Sequence, residues 1–266
     1  MDAKDLIMAG RLAEARKQLT EEVKAAPADP GKRTLLFQVL AFCGEWDRAE
    51  RHLDAIVMQE LRAETGVQVY KNLLHAERER LEVAKRARRP SLLPKTPPYF
   101  ERYVDALEKL AGGDLEGAAG AFDQILESRP DISGTINGKS FEGFADTDAN
   151  LALFLEGIVH DRYVWIPVEE VRELIISEPK TLFDLLWIPA HVTTQEGLSI
   201  GCYLNVLYPD SSSHEDDRIK LGRMTDWVPL GGPFARGVGQ HVFQIGEEDL
   251  AILEIREVSF RPLAKA

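Results

Sequence analysis

Cysteine is almost absent from this sequence: Cys43 and Cys202 are the only two in 266 residues. Two thiols so far apart do not make a disulfide framework, and reduced thiols in a reducing compartment are the simpler reading. No apolar run approaches the ~20 residues of a membrane-spanning helix. Met1-Asp2-Ala3-Lys4-Asp5 lacks the basic start and apolar stretch of a secretory signal. A cytoplasmic location is expected. Positive charge is scarce as well: 32 Lys and Arg stand against 44 Asp and Glu, for a formal net charge of −12. That balance argues against a general nucleic-acid or anionic-membrane binder, because both need a cationic face.

Chemistry-bearing motifs are equally thin. Six histidines, His52, His75, His160, His191, His214 and His241, are scattered, with no His-Glu-x-x-His and no Cys-x-x-Cys. The run His214-Glu215-Asp216-Asp217 has the groups to catch a cation, but an acidic loop after Ser211-Ser212-Ser213 is more often just solvated, and the calcium-loop spacing is not met. No Gly-x-Ser-x-Gly elbow exists, and the adjacency of Ser213, His214 and Asp216 says little, since triads assemble in space. Gly232 to Gly237 has Walker spacing, but Val238 and Gly239 replace the required Lys and Ser/Thr. Asp146 and Asp148 carry no acid–base signal unless buried. On these motifs no enzyme hypothesis rises above the background, and no cofactor, metal, catalytic residue or small-molecule substrate is expected.

What is present is a repeat. Gly10, Leu12, Ala15, Leu19, Val23 and Pro27 form a register that recurs 34 residues on as Gly44, Trp46, Ala49, Leu53, Val57 and Leu61. It recurs 69 residues further as Gly113, Leu115, Ala118, Phe122, Leu126 and Pro130. A Gly caps one helix in the left-handed region, a small Ala admits the next helix closely, and Pro stops the pair. The period matches a tetratricopeptide-like helix–turn–helix unit, although Phe37 stands where that repeat usually has a small residue. A long helix over about residues 66–88 carries Val67, Tyr70, Leu74, Leu81 and Ala84 on one face. It ends in Lys85-Arg86-Ala87-Arg88-Arg89, either a docking patch or a solvated helix end that complements the dipole. Glu77, Glu79 and Glu82 interleave with these cations and weigh against nucleic acid.

The charge divides unevenly. Residues 1–130 hold 21 basic and 22 acidic side chains, a net of −1; residues 131–266 hold 11 and 22, a net of −11. The expected organisation is a tetratricopeptide-like helical repeat domain over 1–130 and an acidic domain over 131–266. The overall class is α+β, the second part being mainly antiparallel α+β or a small barrel. In that part, Ile158–Ile166 reads as a strand and Val168–Ile176 as a short amphipathic helix. Thr181–Leu186 reads as a helical turn, and two hairpins turn at Glu196-Gly197 and Gly246–Asp249. The second hairpin's return strand is expected to run from Leu250 to Phe260 with one bulge.

Leu221-Gly222-Arg223-Met224-Thr225-Asp226-Trp227 mixes a glycine, both charges and the largest aromatic. On one reading Trp227 packs in the core while Arg223 and Asp226 pin the loop through an ion pair and backbone bonds. On the other, Arg223, Asp226 and Trp227 are a partner-binding anchor, since Trp and Arg are enriched at binding hot spots.

This block, with Tyr163–Pro167, Leu182–Ala190, Leu207–Ser211 and Leu253–Val258, resembles the signature blocks of the ImpE family, also called SciE or TagJ, of bacterial type VI secretion accessory proteins. The further Arg- and Asp-rich block of that family is degraded here around Phe144–Leu151. The resemblance implies a non-enzymatic cytoplasmic adaptor. Its implied partner is a helix of the small contractile-sheath subunit and, through it, the AAA+ ATPase that recycles the sheath. Two other readings remain. One is an enzyme or ligand-binding protein in which Asp146, His160, His214 and Asp226 cluster; the other is a regulatory scaffold that docks through Arg86, Arg88 and Arg89.

Overall fold

The computed structural model describes residues 1–59 and 64–262. Seven α-helices among them precede residue 130: α1 (Ala3–Met8), α2 (Leu12–Ala25), α3 (Pro30–Phe42), α4 (Trp46–Gln59), α5 (Glu64–Ala84), α6 (Phe100–Ala111) and α7 (Leu115–Ser128). Their starts are written in the sequence. Asp2 and Asp5 form a capping box on α1, Asp29 accepts the Lys32 amide ahead of Pro30, and Asp114 accepts the Gly117 amide. Gly10, Gly44 and Gly113 sit between helices at φ of +74°, +68° and +81°, the left-handed turn assigned to them from their spacing. Leu12, Ala15, Leu19, Ala49, Leu53 and Ala118 of the register are buried, whereas Leu61 lies outside the described residues.

The remaining elements are β1 (Ser91–Leu92), β2 (Ser133–Ile136), β3 (Lys139–Glu142), β4 (Phe144–Asp146), β5 (Phe154–Val159), β6 (Arg162–Pro167), β7 (Val171–Ile176), β8 (Trp187–Thr194), β9 (Ser199–Asn205), α8 (Asp217–Lys220), β10 (Thr225–Gly231), β11 (Phe234–Gly239), β12 (Val242–Ile245), β13 (Glu248–Ala251) and β14 (Glu257–Phe260). One sheet has nine strands in the order β1-β6-β5-β9-β8-β7-β14-β2-β3, antiparallel throughout except for the short β1. It is open, with β1 and β3 at its ends, so the α+β alternative holds and a closed barrel is not formed. A β13-β12-β4 sheet and a β10-β11 ribbon complete the part.

Three expectations from the sequence fail, each for a local reason. Ile158–Ile166 is not one strand: His160 takes φ +58° and turns β5 back into β6. Val168–Ile176 is a strand preceded by a short 3-10 turn, not a helix. A bulge between Val171 and Glu173 shifts the alternation by one residue, so Val171, Leu174 and Ile176 all point inward at spacings that imitate a helix. The run from Leu250 to Phe260 breaks at a 3-10 turn over Ile252–Glu254, where the Glu254 carboxylate accepts the Ala251 amide at 2.9 Å. The chain then leaves β12 and joins the large sheet as β14. The hairpin at Glu196-Gly197 and the turn at Leu182–Leu185 form as expected.

Candidate functional site

Helices meet sheet along α5, which lies over β6. The apolar face that α3 and α5 turn inward is filled by the chain itself. Phe183, from the 3-10 turn before β8, stacks on Tyr70 with ring centroids 4.2 Å apart and sits 4.7 Å from Phe37. Trp187 packs against Trp46 at 6.3 Å. One continuous buried apolar cluster runs from Ala3 in α1 to Phe260 in β14. The inner face of a helical array is a usual seat for a bound peptide; here Phe183 and Trp187 already cover Phe37, Trp46 and Tyr70 on α3, α4 and α5.

Inside this seam runs a chain of buried charges. Arg80 on α5 donates from Nε to Glu156 Oε2 at 3.0 Å, from Nη1 to Glu77 Oε1 at 2.9 Å, and from Nη2 to both Glu156 Oε1 and the Leu207 carbonyl. Glu77 also accepts from Asn205 Nδ2 and Trp187 Nε1. His241, just ahead of β12, bridges Glu156 Oε1 at 2.8 Å and Asp146 Oδ2 at 2.7 Å. Tyr208 donates to the other oxygen of Asp146 at 2.7 Å. Burial disfavours an imidazolium, but Asp146 and Glu156 outweigh it and push His241 up to about 9. Burial likewise opposes the Glu156 carboxylate, and the charges of Arg80 and His241 overcome that and hold it at about 2. Asp148, buried beside Asp146, is pushed up to about 6. An imidazolium bonded through both nitrogens has no lone pair left to accept a proton, so this arrangement ties layers together and does not present a base.

The residues named from sequence are placed differently from one another. Arg223 donates to the carbonyls of Ile7 at 2.7 Å and Met8 at 2.6 Å, pinning its loop to the end of α1; no ion pair joins it to Asp226 among the described residues. Asp226 accepts the Trp227 amide at 2.8 Å. With Pro229 two residues on, the outer edge of β10 thus has one N–H already taken and another missing, which blunts it against strand addition. Trp227 is 40% exposed, beside exposed Val228 and Met224, so it does not pack in the core. Its indole N–H reaches Thr147 Oγ1 at 3.3 Å.

The alternative sites do not assemble. His160 lies in the β5–β6 turn, His214 accepts the Asp216 amide, Asp226 is on β10, and Asp146 is buried on His241; they share no hydrogen bond or ion pair with one another among the described residues. In the 214–217 run, Asp216 is engaged by Arg218 and Asp217 by the Ala13 amide and Lys220. No group of three or more His, Cys, Asp or Glu is placed to hold a metal ion among the described residues. Two cations of the basic helix end are paired, Arg88 with Glu79 at 2.8 Å and Arg89 with Glu101 at 2.6 Å, while Arg86 donates to Asn150. Cys43 and Cys202 are both free, with burial raising them to about 11 and about 12. No helix among the described residues is long and apolar enough to cross a membrane.

A family model described as ImpE protein matches residues 138–259. Across almost the whole length, the chain is 34% identical to the type VI secretion system accessory component TagJ of Pseudomonas aeruginosa PAO1, covering 98% of this chain and 92% of that protein. The chain belongs to the ImpE family of type VI secretion accessory proteins. The crystal structure of protein VPA1032 from Vibrio parahaemolyticus shares the fold, with a TM-score of 0.87 at 22% identity and 97% of each chain covered.

In this ImpE protein the residues that sequence reasoning passed over are Glu77, Arg80, Glu156 and His241. A signal for the first existed: Glu77 falls on the stripe of Leu74, Leu81 and Ala84, where a carboxylate has to be paired. Glu156, in the apolar strand β5, and His241, in the connection ahead of β12, gave none, since they meet only through the fold. Asp146, Glu156 and His241 lie inside the segment matched by the family model, and Glu77 and Arg80 lie outside it.

Proposed function

We propose that this ImpE protein is a non-enzymatic, cytoplasmic adaptor of a type VI secretion apparatus. It binds a helix of the small contractile-sheath subunit and so modulates sheath assembly or its ATPase-driven recycling. The observation that carries this reading is the 34% identity, over 98% of the chain, to a type VI accessory component. One feature supports it: Asp146, His160, His214 and Asp226, the set of the alternative enzyme reading, share no hydrogen bond or ion pair with one another among the described residues. The division into a tetratricopeptide-like part over 1–130 and an acidic part over 131–266 belongs to the same proposal, with the two parts acting as one frame. Because Phe183 fills the inner face of the helices, the partner meets outer surface. Trp227 is proposed as one partner contact, with Arg223 and Asp226 fixing its loop and strand.

Co-purification of the full chain with the small sheath subunit tests the reading. Capture that disappears when the subunit's helix is deleted is the expected result. Failure of the intact chain to bind the intact subunit ends the proposal.

A further inference from the structure

The adaptor reading leaves open where a helix is received, and the register of the nine-stranded sheet points to a place. Residues paired directly across strands share a face. Asn205 and Trp187, which reach Glu77, and Glu156 with Tyr163 mark the face that α5 covers at one end of the sheet. The same face continues past β9 through Pro189, then Ile175 and Glu173, then Glu257, and ends at Glu142 on β3. There it has no covering layer: Ile175 is 45% exposed in the middle of the sheet, and Glu257 and Glu142 are exposed.

Beside α5 this face deepens into a cleft of about 390 Å³, walled by Val69 and Asn72 and floored by Pro189, Gly201 and Tyr203. The five strands from β8 to β3 span roughly 20–24 Å, enough for a helix about 10–12 Å across to lie alongside α5. The backbone groups of the inner strands are used within the sheet, so an occupant engages through side chains, as a helix layered on a sheet does.

Charge selects the occupant. Glu142, Glu173 and Glu257 have no ion-pair partner among the described residues, and no Lys or Arg stands at a ladder-paired position of this face in β2, β3, β7, β8, β9 or β14. Arg172, in the bulge, and Arg261, past the end of β14, stand at its margins. We propose that this open sheet face is the berth for an amphipathic helix of the partner, with an apolar stripe over Ile175, Pro189 and Tyr203 and basic residues toward Glu173, Glu257 and Glu142. The assignment rests on the adaptor reading and adds its location.

The test uses the full chain against two probes, the intact small sheath subunit and a synthetic peptide of its helix. Ile175→Arg and the double variant Glu173→Lys/Glu257→Lys alter exposed or half-exposed side chains, so unchanged circular dichroism and melting are required of both. Each is expected to weaken peptide binding by about tenfold or more, and the double variant is expected to flatten the loss of affinity between about 0.05 M and 0.5 M salt. Trp227→Ala should spare the peptide and affect only the intact subunit. If wild type binds the peptide and both variants bind as tightly, the berth is wrong while the adaptor reading stands. If wild type binds neither probe, both fall.

Discussion

Arg80→Met removes one guanidinium of similar volume from the seam, and its cost follows from what is left behind. The Arg80 side chain is 4% exposed and donates to two carboxylates and a carbonyl. Without it, Glu156 keeps His241 and Tyr163, and Glu77 keeps Asn205 and Trp187, but two buried negative charges lose their nearest cation. Breaking a buried ion pair from one side costs about 3–5 kcal/mol. For a chain of this size that lowers the melting temperature by roughly 5–10 °C. Urea unfolding at neutral pH, followed by far-ultraviolet dichroism and by tryptophan emission, reads the loss and checks that the transition stays cooperative. Glu156→Gln in the same background should cost less than it does alone, with a coupling of about 1–3 kcal/mol. A loss below about 1 kcal/mol, or strict additivity, would refute the view that these charges depend on one another.

Three further outcomes are expected. His241 is raised from its ordinary 6.5 to about 9, so the folded state binds the extra proton; its contribution is complete below 6.5 and disappears as pH rises through 9, and His241→Gln should flatten that alkaline limb of a stability–pH curve. Glu156, lowered to about 2, gives the opposite sign: its contribution is present above about 4.5 and is lost as pH falls toward 2, visible as steepening acid unfolding that Glu156→Gln removes. Gly237→Ala puts a Cβ 2.2 Å from the Tyr208 ring, and calorimetry should show a loss of about 1–3 kcal/mol from overpacking; an unchanged melting temperature would mean that the ring moves freely.

How much of this was legible before folding depends on the range of the interaction. The cap glycines at 10, 44 and 113 and the Glu196-Gly197 turn are local chemistry, and they stand as read. Val171–Ile176 misled because a bulge is set by the partner strand, and its one-residue shift made strand spacing look helical. Trp227 was open to two readings since exposure is decided by what lies across the ribbon; Gly237 opposite it leaves room for Tyr208 beneath. The charge chain was hidden for a stricter reason. Arg80, Glu156 and His241 are separated by 76 and 85 residues, and nothing in a local window announces a partner at that distance.

The seam also bears on how this protein can be taken apart. A cut near Pro130 would part Arg80 from Glu156 and Glu77 from Asn205 and Trp187, and would wet the apolar surface that the helices share with the sheet. Deleting or transplanting one half therefore opens this seam as well as removing the other half's surface, so a lost activity in such a truncation reads both at once.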